Sequence, residues 1–381
     1  MFSIRTRSPT TTAAAAAAAS RLAARYLTTI SSSAVGTTTT THTQTLPVTL
    51  RYQISRTLSR SSLPTFSKTT NPFSYFHQIK RRTMSSAAAA KRLANKTVVI
   101  TGASSGIGRS TAFEFARTAP NNGLKLILTA RRVDALEQIA KEIREEVGEG
   151  VQVLPVKLDV SQPEEVRGFV GNLPEEWRDI NVLVNNAFVS PTPVPTYLTY
   201  FRSNAHLNDT KNYTQKVAQA PSIAEADINV MFATNVTGLI NMTQAILPIF
   251  KARGNEGGSG DIINIGSIAG REPYAGGSIY CATKAAVRSF TDALRKELIA
   301  TRIRIMEIDP GQVETEFSVV RFYGDKNKAD AVYAGVDPLT PDDIAEIVVF
   351  VATRKENVVV ADTLVFPSHQ AGAGVMHRKS T

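Results

Sequence analysis

Tyr280 and Lys284 stand four residues apart, and Ser267 lies thirteen positions upstream of the tyrosine. Residues four apart share one face of a helix, so a helix here would aim both side chains into one cleft. A free tyrosine titrates at about pH 10, too high for an efficient base at neutral pH. A neighbouring ammonium favours the phenolate and lowers that value. A serine hydroxyl beside them can hydrogen-bond a carbonyl oxygen as charge moves onto it. The three residues are therefore candidates for proton transfer to and from an alcohol or ketone. Lysine in this place could also hold a ribose. A Y-x-x-x-K spacing alone is a common accident on helices, so its weight depends on what accompanies it.

The companion is Thr101-Gly102-Ala103-Ser104-Ser105-Gly106-Ile107-Gly108, directly after the apolar run Val98-Val99-Ile100. Gly102 permits a tight turn at the end of a strand. Gly106 and Gly108 let the backbone approach a pyrophosphate, which then meets a helix N-terminus. A glycine pattern between a strand and a helix is the context that a dinucleotide site demands. The second strand ends in Leu128-Thr129-Ala130-Arg131-Arg132. Sites for NAD place a carboxylate about there, against the ribose 2′-hydroxyl. Two arginines favour a 2′-phosphate instead, which guanidinium groups bind through forked, charge-assisted bonds. The cofactor expected is NADP, with Arg131 as leading contact and Arg132 as second. Ser104 and Arg109 are supporting candidates. The chemistry implied is hydride transfer between a nicotinamide and a small alcohol or carbonyl compound.

These residues need a frame. The pattern from Lys96 alternates strands with helix-length segments. Strands are expected at 97–101, 125–129, 151–156, 181–185, 261–265, 303–308 and 363–366. Helices are expected at 106–119, 133–147, 162–173, 227–251, 278–301 and 341–353. Strands that are apolar without alternation belong to a parallel sheet covered on both faces. The fold class is α/β, a single Rossmann-type, doubly wound parallel sheet, with ligands beyond the carboxyl ends of the strands.

Charge divides the chain. Residues 1–96 carry fourteen Lys and Arg and no Asp or Glu; the first acidic residue is Glu114. The remainder carries twenty-nine basic and thirty-three acidic residues, a net of −4, so the overall +10 belongs to the leader. A basic total hints at nucleic acid, but the acidic body excludes that partner here. Residues 1–90 read as a leader without fixed structure. Its Ser, Thr, Ala and Arg composition fits a mitochondrial transit peptide. Met84 offers the other reading, a cytoplasmic start just before the fold. No stretch was expected to reach the roughly 20 apolar residues that span a bilayer. The single cysteine, Cys281, forbids an internal disulfide and reads as a small helix residue. No metal-ligand spacing is present among the five histidines. Residues 189–222 have no clear period; they read as a substrate lid, an insertion or retained intron sequence. Residues 371–381 form a tail.

With these residues in place, the chain resembles the short-chain dehydrogenase/reductase family over about 91–370. The likeness rests on Thr101–Gly108, Leu158-Asp159-Val160, Asn185-Asn186-Ala187, Asn235-Val236, Ser267, Tyr280 with Lys284, and Asp309-Pro310-Gly311. The resemblance implies that Asp159 and Val160 border an adenine and that Asn185 lies beside the cofactor ribose, with Asn186 and Ala187 next to it. It implies that Asn235 holds a water linked to Lys284. Pro310, Gly311, Val313 and Thr315 would lie at the nicotinamide. Gly266–Arg271 and Pro310–Phe317 are similar to a fungal and bacterial branch of NADP-dependent dehydrogenases that act on serine, allo-threonine and other 3-hydroxy acids. Such proteins are usually homotetramers packed through two long helices. One departure stands out: the family reads Asn-Asn-Ala-Gly where this chain has Phe188. The resemblance leaves two further readings, a 3-oxoacyl carrier-protein reductase and an NADP-binding protein disabled by its insertion. A carboxylate substrate calls for a cation; Arg271 and Arg321 are candidates by position.

Overall fold

The computed structural model describes residues 86–189, 220, 222–254, 257–316 and 326–379. Seven parallel strands form one sheet in the order β3-β2-β1-β4-β5-β6-β7. They are β1 (Thr97–Thr101), β2 (Leu124–Ala130), β3 (Val151–Lys157), β4 (Ile180–Asn185), β5 (Ser259–Ile265), β6 (Arg302–Pro310) and β7 (Asp362–Val365). The helices are α1 (Ser86–Leu93), α2 (Gly106–Thr118), α3 (Val133–Val147), α4 (Pro163–Asn172), α5 (Glu225–Phe232), α6 (Leu239–Lys251), α7 (Ser278–Glu297), α8 (Lys326–Tyr333) and α9 (Pro341–Ala352).

Strand alternation divides the core between two faces. Val98 and Ile100 of β1 pack with Leu136 and Ile143 of α3 and Ile344 and Val348 of α9. Val99, between them, faces Phe169 of α4, Met242 and Ile246 of α6, and Leu294 of α7. Full burial of such a side chain contributes roughly 1.5–3 kcal/mol, and both faces of β1 are lined with them. That double coverage is why the strands read as unbroken apolar runs.

The sheet grows outward from β1 in both directions, to β2 on one side and β4 on the other. This reversal opens a crevice at the carboxyl ends of β1 and β4. The expected elements are present, with shifted ends. The helix expected to reach residue 301 stops at Glu297. The long helix expected at 227–251 is α5 and α6 joined by a π-helical turn, Ala233–Gly238. It is also the correction to the membrane expectation. Glu225–Lys251 is long and apolar enough to cross a bilayer by length and composition, and half of its most apolar window is buried inside the fold. Met242, Ile246 and Phe250 of that stretch pack on the sheet. The leader expected at 1–90 lies outside the described residues up to residue 85, and the irregular 189–222 segment does so for most of its length.

Candidate active site

Two turns meet at the crevice. Gly102 and Gly106 have φ of +66° and +53°, the left-handed region that favours glycine. A Cβ on Gly102 would stand 2.8 Å from the Cα of Ala187, and one on Gly108 would stand 2.5 Å from Asn186 Nδ2. The glycine turn is thus packed onto the segment that leaves β4. Thr101 Oγ1 accepts hydrogen bonds from the amides of Asn186 and Ala187, each 3.0 Å. Asn186 Nδ2 donates to the carbonyl oxygens of Thr101 (3.0 Å) and Gly102 (3.2 Å). Asn186 therefore braces the turn.

Above this clasp runs a cleft walled by Gly102, Ser104, Ser105, Gly106 and Ile107 on one side and by Leu158, Asp159 and Val160 on the other. Arg131 and Arg132 line it too, as do Ala187, Phe188 and Val189. Arg132 Nη2 donates to Ser104 Oγ (3.2 Å) and Ser105 Oγ (3.0 Å), and lies 3.5 Å from Glu316. Arg131 has no ion-pair partner among the described residues. Helix α2 begins here with no side-chain cap and no acidic residue in its first turn. Its first amides and the two guanidinium groups suit phosphate oxygens. The adenosine diphosphate half of NADP fits these residues.

Two expectations need correction at this end, and a third residue has a further role. Arg109 does not face the cleft: its Nη2 donates to Glu142 Oε2 at 2.7 Å, and its guanidinium stacks on Phe113. Asn185 does not reach a ribose. The strand's alternation turns it into the core, where its Nδ2 donates to Asn264 Oδ1 (3.0 Å) and Thr243 Oγ1 (3.1 Å). The carboxylate of Asp159 accepts from the amide and hydroxyl of Ser161, so it shapes its own turn while the residue still lines the cleft.

Ser267 follows β5 and caps a short 3-10 turn, accepting from the amide of Ala269 at 3.1 Å. Its own amide donates to Asp309 Oδ1 at 2.9 Å. Tyr280 and Lys284 sit one turn apart on α7, as their spacing requires. Lys284 is buried, its Nζ donating to the carbonyl of Ile265 at 2.8 Å and lying 5.8 Å from the Tyr280 ring centroid. Burial pulls its ammonium down to about 8, against the pull of Asp309 and Glu307 in the other direction. The Phe188 ring covers the same ammonium at 4.6 Å.

Asn235 stands in the π turn. Its Oδ1 accepts from the amide of Val189 and its Nδ2 donates to the carbonyl of Val189, both at 2.8 Å. The same Nδ2 donates to Thr283 Oγ1 at 3.2 Å, and Thr283 in turn donates to the carbonyl of Tyr280. These bonds make Asn235 a clamp between Val189 and helix α7. Pro310 ends β6, and the Gly311 amide donates to the carbonyl of Val365. A Cβ on Gly311 would stand 2.3 Å from Gln370 Oε1, so a larger residue there would have to displace the Gln370 side chain. Val313 bridges to Leu339, and Thr315 reaches the glycine turn, 3.6 Å from where a Gly106 Cβ would be. Only Thr315 of this group lines the cleft. Cys281 is buried in α7, as a small helix residue should be.

Sequence reasoning missed the carboxylates beneath Ser267. Glu307 and Asp309 share one face of β6, both buried. Burial, then repulsion from Asp309, pushes the Glu307 carboxyl up to about 8. Asp309 Oδ2 accepts from Arg271 Nε at 2.7 Å and Arg288 Nη1 at 3.4 Å, and both arginines also pair with Asp362. Arg271, expected near a substrate carboxylate, is held in this pair of ion bridges; Arg321 lies outside the described residues. A Cβ on Gly266 would stand 1.8 Å from Asp309 Oδ1, so only glycine lets the Ser267 loop close over the carboxylates. The available signal was two acidic residues, two apart, inside an otherwise apolar strand.

Residues 96–323 match the family described as short chain dehydrogenase. The chain belongs to the short chain dehydrogenase family. Within it, an NADP-dependent 3-hydroxy acid dehydrogenase of Schizosaccharomyces pombe is 53% identical over 288 residues, covering 76% of this chain and 98% of the relative. A serine 3-dehydrogenase of Rhizobium radiobacter is 34% identical over 278 residues, 73% of this chain and 96% of the relative. Among solved structures, the closed form of a serine dehydrogenase complexed with NADP+ superposes with a TM-score of 0.59 at 35% identity, over 74% of this chain and all of that one. The family's strand-helix alternation is the one seen here, and the matched span contains every candidate catalytic residue.

Proposed function

We propose that the protein is an NADP-dependent dehydrogenase that interconverts small 3-hydroxy acids, of the serine and allo-threonine type, with their 3-oxo acids. The observation that carries this reading is the meeting of two sites at one crevice. A cleft lined by the glycine turn, Arg131 and Arg132 is also lined by Phe188, whose ring lies 4.6 Å from the ammonium of Lys284, one helical turn from Tyr280. The names of the relatives, 3-hydroxy acid dehydrogenase and serine dehydrogenase, support the substrate class.

In the oxidising direction, the Tyr280 phenolate takes the proton from the substrate hydroxyl. Bound NADP supplies the hydride acceptor. The Ser267 hydroxyl donates to the substrate oxygen and holds it against Tyr280. Lys284, one helical turn away, places a positive charge where it favours the phenolate. Its own position is set by the Ile265 carbonyl. The Asp309 carboxylate fixes the Ser267 loop from below through the serine amide. In the reducing direction Tyr280 returns the proton as general acid.

Purified full-length protein, offered NADP with L-serine, D-serine, L-allo-threonine and 3-hydroxypropionate, tests this by the rise in NADPH absorbance. Turnover of none of them, with NADPH bound, would remove the substrate class and leave the family. A homotetramer built through α5, α6 and α7 is the assembly proposed; Val230 and Phe232 are large apolar side chains left exposed on α5. Light scattering of the purified protein gives the mass. Compartment follows the leader: import into mitochondria predicts removal of residues before the fold, and a start at Met84 predicts the cytoplasm. N-terminal sequencing of the protein from fractionated cells separates the two.

A further inference from the structure

Phe188 stands where the two halves of the site should join. The cleft lined by Arg131 is also lined by Phe188, Val189 and Thr234, and not by Ser267, Tyr280 or Lys284. The ring of Phe188 lies over the Lys284 ammonium, 4.6 Å from Nζ to the ring centroid. An ammonium has three donor hydrogens. One goes to the Ile265 carbonyl, and the face of an aromatic ring is a favourable neighbour for the rest of the charge. The lysine whose charge and donors a nicotinamide ribose would engage is therefore already covered by a side chain of its own protein.

The backbone on either side of that ring is tethered. The Ala187 amide is held by Thr101 Oγ1 at 3.0 Å. Val189 is held through both its amide and its carbonyl by Asn235, each at 2.8 Å. The main chain cannot carry Phe188 away without breaking these bonds. The ring can leave by rotation about its own side-chain bonds, which breaks none of them.

We propose that Phe188 is an intramolecular cap on Lys284 that competes with the nicotinamide end of the cofactor, and that it sets how tightly the dinucleotide binds. The proposal rests on the NADP reading above. The adenosine end docks on the glycine turn and the two arginines with the cap closed. The nicotinamide end seats only when the ring has turned off the lysine. Affinity for the whole dinucleotide is reduced by the fraction of molecules in which the cap is open, whereas affinity for the adenosine end alone is not.

Two ligands separate these terms: NADPH, and 2′,5′-ADP, which carries the 2′-phosphate but no nicotinamide. Their dissociation constants are measured by calorimetry on the full chain and on Phe188→Gly and Phe188→Ala. NADPH is expected to bind about tenfold more tightly to both variants, the order of effect of losing one desolvated cation–ring contact and its closed population. Binding of 2′,5′-ADP is expected to stay unchanged, which also shows that the variants fold. Unchanged NADPH binding beside normal 2′,5′-ADP binding overturns the cap and leaves the NADP reading standing. Equal tightening of both ligands overturns it too, since the effect would then lie in the backbone at the glycine turn. Failure of the original chain to bind 2′,5′-ADP at all overturns the NADP reading and the cap with it.

Discussion

The two halves of the crevice are built in opposite ways. The adenosine half is open and made of backbone: glycines, helix amides, and arginines at the rim. The catalytic half is closed and made of buried charge: Lys284, Glu307 and Asp309, with Phe188 across the entrance. A surface of backbone donors works wherever the chain turns correctly, so it tolerates exposure. Buried charges work only when their neighbours fix them, because an unpaired charge in the interior is expensive. Binding is therefore assigned to the first half and chemistry to the second, and each should fail in its own way.

The sharpest break of that division is Tyr280→Phe. Removing the phenolic oxygen should lower kcat by roughly 10²–10⁴-fold, the usual contribution of a general acid or base. NADPH affinity should be untouched. A variant that loses affinity instead would merge the halves. Arg131→Ala tests the other side. Losing charge-assisted bonds to a 2′-phosphate should weaken NADP binding by about tenfold to a hundredfold, since such bonds contribute about 1.5–3 kcal/mol. NAD binding should hardly change, and kcat at saturation should be kept. Unaltered NADP affinity would show that Arg131 is a bystander.

Smaller effects come from the floor of the catalytic half. Gly266→Ala forces a methyl group into Asp309. It should destabilise the protein by about 1–3 kcal/mol, the range for overpacked sites, and lower its melting temperature. The last is a pH dependence. Glu307 has its carboxyl raised from 4.5 to about 8, so between those values the folded state holds a proton that the unfolded state has lost. Stability from this group is complete below about 4.5 and is lost as pH rises towards 8. Lys284 is lowered from 10.5 to about 8, so the unfolded state binds the extra proton and stability rises again over that window. Melting curves of Glu307→Gln should lose the decline between pH 4.5 and 8 and keep the rise above it. Parallel curves for the two proteins would deny that Glu307 is buried as an acid.

The sequence was legible where structure is local. The apolar strands, the glycine turn and the Tyr280–Lys284 spacing each depend on residues a few positions apart. What was misread depends on direction or on distance along the chain. Asn185 and Asn186 are neighbours, yet strand alternation sends one into the core and turns the other to the glycine turn. Arg109 is close in sequence to Gly108, but its helical phase carries it to Glu142. Arg271 meets Asp362, ninety-one residues on, through the pairing of β6 with β7. No local pattern reports such a meeting. Glu307 and Asp309 were visible as letters, and their burial was not, because a strand's carboxyl end often reaches solvent.

Cys281 gives the molecule a clock. It is the chain's one thiol, it is buried, and it adjoins Tyr280 on the catalytic helix. A reagent that alkylates thiols can reach it only when α7 opens from the sheet, so the alkylation rate reads the population of that opening. Any ligand that ties α7 down should slow the clock, without a label being added to the protein.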